Sequence, residues 1–145
     1  IFCYSVGKYQ DDDRADADEA LSLLQKAAKP LNPIQRAYLG LGLKGENLNS
    51  WFAALSDQKK KLKSKPDIVF VFVTPKEEKF YGDLKKFITL ELDCPCQFST
   101  RKKLSSSQKG SMSVASKIAM QMNAKMGHSL WTIQNTHPAL VAQAK

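Results

Sequence analysis

Residues 68–73, Ile68-Val69-Phe70-Val71-Phe72-Val73, are all β-branched or aromatic, with no polar interruption. A strand turns successive side chains to opposite faces. A run with no polar alternation therefore buries both faces, as expected of a strand inside a parallel sheet covered by helices. It is the longest uninterrupted apolar run in the chain and is far too short to cross a bilayer.

The flanking segments fit that sheet. Residues 1–6 read as a first strand and 7–13 as a loop with an acidic run. A helix capped by Asp16 or Asp18 is expected to extend to about residue 29, with Ala17, Ala20, Leu21, Leu24, Ala27 and Ala28 at spacings of three and four. Pro30 and Pro33 end it. Residues 38–43 form a short strand weakened by Gly40 and Gly42. Residues 47–62 form a second helix with Leu48, Trp51, Phe52, Leu55 and Leu62 on one face.

After a polar loop over 74–79, a helix over 80–92 turns Leu84, Phe87, Ile88 and Leu92 inward. Residues 96–100 form a strand, and 101–110 a basic, Ser-rich loop expected to be mobile. Ser111 or Ser113 caps a helix through Lys125 that buries Val114, Ala115, Ile118 and Met122, and Gly127 stops it. Residues 130–133 form a last strand. Strands alternating with helices predict one doubly wound α/β domain about three layers thick. In such sheets ligands are expected beyond the carboxyl ends of the strands.

Composition narrows the function. The net charge of +8 is uneven, because residues 59–145 carry 16 basic and 6 acidic side chains. A local balance of +10 points to a polyanion-binding face. The three cysteines, Cys3, Cys94 and Cys96, make no disulfide framework and read as buried small hydrophobes in a reducing compartment. Cys94 and Cys96 are expected on opposite faces of their segment. His128 and His137 lack finger-like spacing from the cysteines. Asp11-Asp12-Asp13 reads as a solvated loop, and no Gly-rich phosphate loop is present.

Tyr81 and Lys85, four apart on one helix, share a face. A phenol, an ammonium and helix N–H groups suit a phosphate monoester, and the ring can stack on a base. On spacing alone ordinary helix surface explains the pair better. Gln121 and Lys125 repeat the spacing, and Lys125 also complements a helix C-terminus. Gln97 offers a neutral amide.

Together these residues carry a resemblance. Gln121-Met122-Asn123-Ala124-Lys125-Met126-Gly127 resembles the end of the MID domain of eukaryotic Argonaute and Piwi proteins, whose pattern runs approximately Q/K-x-N-x-K-L-G-G. Residues 75–85 resemble its nucleotide-specificity loop and Tyr-x-x-x-Lys helix. Asp93-Cys94-Pro95-Cys96-Gln97 is similar to the stretch supplying its glutamine. The likeness is specific over 68–133 and weak over 1–67.

The resemblance implies a Rossmann-like fold that anchors the 5′-phosphorylated nucleotide of a small guide RNA for RNA silencing. Tyr81 would stack on the first base, while Lys85, Gln97 and Lys125 would hold the phosphate. Phe98 would add a backbone N–H, Gln121 a secondary contact, and Pro75, Lys76 and Lys79 would lie along the base. His128 replaces the second glycine. Gln121 stands where many Argonautes carry Lys, and Piwi-branch members use a divalent ion there, so the resemblance admits Mg²⁺ beside Gln121. It also implies a fragment of a larger chain with PAZ and PIWI domains, acting as a monomer in the cytoplasm or nucleus. That fragment would contact no membrane and, lacking slicer carboxylates, would perform no catalysis. The alternatives are a small α/β enzyme using Asp83 or Cys96, or a protein scaffold using the 101–109 loop. The cluster of Lys85 with residues 101–103 suggests a second anion there.

Overall fold

The computed structural model describes residues 1–6, 10–31, 39–44, 47–74, 78–105 and 107–130. Strands and helices alternate as β1 (Phe2–Val6), α1 (Gln10–Ala28), β2 (Gly40–Lys44), α2 (Leu48–Lys61), β3 (Val69–Val73), α3 (Glu78–Glu91), β4 (Cys96–Thr100) and α4 (Ser111–Lys125). The strands form one all-parallel sheet in the order β2-β1-β3-β4.

Strand β3 is buried at all five positions, and its alternation divides the core in two. Phe70 and Phe72 join Phe2 under α1 and α4, where Leu24, Ala115, Ile118 and Met122 pack. Val69, Val71 and Val73 turn to the other face and meet Trp51 and Leu55 of α2 and Leu84 and Ile88 of α3. The second layer is tied further by Phe52 stacked on Phe87, with centroids 4.3 Å apart. All six apolar positions expected of α1 are buried.

Several expectations need correction. Helix α1 begins at Gln10, so the acidic run belongs to its first turn, where carboxylates complement the helix dipole. Asn47 caps α2 by accepting from Asn49 N–H at 3.0 Å. Helix α4 is entered instead through Gly110 at φ +85°, without a side-chain cap, so neither Ser111 nor Ser113 is its N-cap. Cys94 and Cys96 both enter the α2–α3 core rather than facing apart; residues two apart in an extended chain share a side. Gly42 has a packing reason. A Cβ there would stand 3.0 Å from the Tyr4 hydroxyl, so the glycine leaves room for that ring across the strand pair. The strand expected at 130–133 and the residues Pro33, Tyr38, Pro75, Lys76 and His137 lie wholly or mostly outside the described residues.

The 101–110 segment is also anchored at its start. Arg101 Nη1 lies 2.7 Å from Asp13 Oδ1 and 2.9 Å from Asp16 Oδ2, and Nη2 donates to the Ser5 carbonyl at 2.8 Å. Leu104 is fully buried three residues later. One guanidinium thus ties the exit of β4 to α1 and to the end of β1.

The end of α4 behaves as expected. Gly127 adopts φ +84°, its N–H donates to the Ala124 carbonyl, and His128 N–H donates to the Asn123 carbonyl. The buried Asn123 amide donates to the Ser129 carbonyl at 3.1 Å, so the turn closes with histidine in the second-glycine position. Gly127→Ala should cost about 1 kcal/mol, the penalty for placing a Cβ in the left-handed region. A urea midpoint lowered at constant slope would register it.

Candidate anion site at the edge of the sheet

Among the described residues β4 pairs only with β3, which leaves its other side open. The ladder between them starts with Val69 N–H on the Pro95 carbonyl and ends with Arg101 N–H on the Val73 carbonyl. It therefore uses the odd-numbered residues of β4. A parallel strand directs alternate residues' backbone groups to opposite sides, so the N–H and C=O groups of Cys96 and Phe98 point to the open edge. Helices α3 and α4 flank that edge on opposite faces of the sheet.

Side chains from all three elements converge there. Lys125, the last residue of α4, donates from Nζ to the Cys96 carbonyl and to Gln97 Oε1, both at 2.8 Å. Gln97 Nε2 donates to Gln121 Oε1 at 3.1 Å and to the Phe98 carbonyl at 3.2 Å. Gln97 is 8% exposed, because β4 turns it under α4. Phe98 faces the other way and meets the Tyr81 ring edge-on at 4.6 Å. Lys85 Nζ lies 5.6 Å from the centroid of that ring, and Tyr81 keeps 43% of its surface exposed.

The electrostatics favour an anion. The Lys125 ammonium is held below its ordinary pKa of 10.5, first by burial and further by repulsion from Lys85, with Cys96 opposing. An anion entering beside Lys125 would favour its ammonium form. The Cys96 thiol is pushed upward by burial, an effect that Lys125 and Lys85 only partly offset. It stays protonated near neutral pH and is a poor nucleophile.

Tyr81, Lys85, Gln97, Phe98, Gln121 and Lys125 are thus brought to one region. Lys79 is exposed in the first turn of α3. The residues brought together line the flank of β4 from its amino end. Arg101 lies four residues along β4 from Gln97, about 13 Å at strand rise, and its guanidinium is engaged with carboxylates on α1. The Arg101–Asp13–Asp16 cluster went unforeseen because no local pattern links residues 85 positions apart.

The donor set does not suit Mg²⁺ by itself. Two oxygens of the site, Gln97 Oε1 and the Cys96 carbonyl, are already held by an ammonium. Among the described residues no three His, Cys, Asp or Glu groups gather as a metal site, whereas Mg²⁺ is held through carboxylates or phosphates. No described helix is long and apolar enough to cross a membrane.

A four-stranded parallel sheet with helices on both faces defines a Rossmann-like α/β domain, with a lysine–glutamine cluster at its edge. Comparison places it further: the sequence profile of the Piwi domain matches residues 67–144, and the chain belongs to the Argonaute/Piwi family. It is 33% identical over 126 residues to Piwi-like protein 1 of Danio rerio, covering 83% of this chain and 14% of that protein. It is 38% identical over 61 residues to Piwi-like protein Siwi of Bombyx mori, covering 42% of this chain and 7% of that one. The chain therefore spans a small part of these relatives.

In fold it matches Drosophila Piwi with a TM-score of 0.75 at 20% identity, over 94% of this chain and 18% of that one. It matches the MID domain of the N. crassa QDE-2 Argonaute with a TM-score of 0.62 at 16% identity, over 86% and 94% of the two chains.

Proposed function

We propose that this chain holds the 5′-phosphorylated end of a small guide RNA at the open edge of β4. The observation that carries the reading is the convergence of Lys125, Gln97 and the Tyr81–Lys85 pair on one strand edge. Lys125 and Lys85 supply charge, the Gln97 amide and the outward Phe98 N–H supply directed donors, and the exposed face of Tyr81 supplies a surface for the first base. Pro75, Lys76 and Lys79 would lie beside the base.

The domain binds without turnover. Its partners in a larger parent chain are PAZ and PIWI domains, and it acts in RNA silencing in the cytoplasm or nucleus. Asp83 and Cys96 make no nucleophile–base pair, which weighs against a small-molecule enzyme. Arg101 is occupied within the fold, which weighs against a scaffold built on the 101–109 loop.

Titrating the chain with a 5′-phosphorylated nucleotide and its 5′-hydroxyl counterpart tests the reading. The phosphorylated ligand is expected to bind at least tenfold tighter, the equivalent of about 1.4 kcal/mol. Its affinity should rise between pH 5 and 7 as the phosphate gains its second charge near pH 6. Equal affinities for the two nucleotides would reject the proposal.

A further inference from the structure

The Gln97 amide has one orientation compatible with its neighbours. Lys125 Nζ can only donate and the Phe98 carbonyl can only accept, so Oε1 faces Lys125 and Nε2 faces Phe98. Gln121 then presents its own oxygen to Nε2. Both ends of the amide are engaged, and two of the three Lys125 donors are held by neutral carbonyl oxygens of the protein.

We propose that Gln97 is an internal stand-in for the anion, latched by Gln121, and that Gln121 is thereby a positioning residue setting how well the site separates terminal phosphate monoesters from weaker anions. The proposal rests on the 5′-phosphate reading above and deepens it. An entering anion can take the third Lys125 donor directly, and gains a second only by drawing Nζ away from Gln97 Oε1. For Gln97 to donate in its turn, Nε2 must leave Gln121 and the Phe98 carbonyl. A monoester near neutral pH brings close to two negative charges and three acceptor oxygens, and charge-assisted bonds outcompete neutral ones. An internal phosphodiester brings one charge and competes less well. The latch therefore filters anions through the cost of opening, in addition to any contact made once the anion is seated.

Gln121→Met tests this, since methionine is of similar length and helix propensity but lacks the amide oxygen. Kd is measured for a nucleoside 5′-monophosphate and for its 5′-phosphate methyl ester, from pH 5 to 8, in wild type and variant. Exchange of the Gln97 side-chain NH₂ protons is followed by NMR in the free protein. The variant is expected to bind the monophosphate about threefold to tenfold tighter, the worth of one released hydrogen bond. Its preference for monoester over diester should shrink, and its affinity should climb less steeply with pH through the second phosphate ionisation. In the free wild type the Gln97 NH₂ should exchange slowly and become faster in Gln121→Met.

Unchanged or weaker binding in the variant overturns the proposal, weaker binding meaning that Gln121 touches the phosphate directly. Rapid Gln97 exchange in the free wild type overturns it without reference to any ligand. A wild type that ignores the phosphate while its Gln97 NH₂ stays protected rejects the 5′-phosphate reading and the filtering role with it, leaving a purely structural hydrogen bond.

Discussion

Replacing Lys125 with alanine is expected to weaken binding of a 5′-phosphorylated nucleotide by about 10- to 100-fold, with the 5′-hydroxyl counterpart unaffected. A hydrogen bond to a charged group contributes about 1.5–3 kcal/mol, and each 1.4 kcal/mol is tenfold in affinity. The ammonium is delivered by the last residue of α4 and points at the carbonyl edge of β4.

Lys85→Ala should act in the same direction, since Lys85 lies close enough to depress the Lys125 pKa. Affinity should also fall at alkaline pH. The free Lys125 loses its proton below its ordinary 10.5, whereas a bound anion favours the protonated form. Raising the pH through that range thus opposes binding. Isothermal titration of both variants, with a urea midpoint for each to verify folding, checks the expectation. Unchanged affinity in both would move the site elsewhere.

Arg101→Met is expected to cost about 3 kcal/mol of stability without altering the phosphate site. The guanidinium is 16% exposed and Asp13 15% exposed. Removing the guanidinium breaks a largely buried pair and loses its charge-assisted bonds together, the situation in which losses of this size arise. The same group reaches Asp13, Asp16 and the Ser5 carbonyl at once, and its carbon lies 5.9 Å from the Phe72 ring centroid. A lysine has no planar fork to serve those directions together, so Arg101→Lys should recover little. Urea denaturation of the three proteins measures this. A loss near 0.5 kcal/mol, typical of exposed pairs, would show that the cluster behaves as ordinary surface.

How far the sequence could be read depended on the range of the interaction. Where one segment's own pattern decides its structure, the reading was close. The six-residue apolar run gave β3 with every position buried, and β4 was placed at its observed limits. The apolar stripe of α1 was identified residue by residue. Tyr81, Lys85, Gln97 and Lys125 were singled out through two helical spacings and a family resemblance, and they do fall in one region.

Features that join distant segments were not legible. Arg101 pairs with carboxylates near the other end of the chain, which is why the acidic run read as a solvated loop and the basic segment as mobile. The placement of the cluster on the flank of β4 depends on which strand ends the sheet, and strand order is not written in any single segment. The closure of Gln97 on Gln121 depends on β4 turning an odd-numbered side chain under α4, which required the register.

Among the described residues β4 has no partner on its outer side, which bears on self-association. An unpaired strand edge is a template on which another chain can add a strand, and soluble proteins blunt such edges with charge or by covering them. Here the outward Cys96 carbonyl is covered by the Lys125 ammonium and the Phe98 carbonyl by the Gln97 amide. The side chains proposed to wait for a phosphate thus also act as gatekeepers against self-association. Removing both would leave a longer stretch of bare strand edge, and a double Gln97→Ala, Lys125→Ala chain should aggregate more readily than wild type.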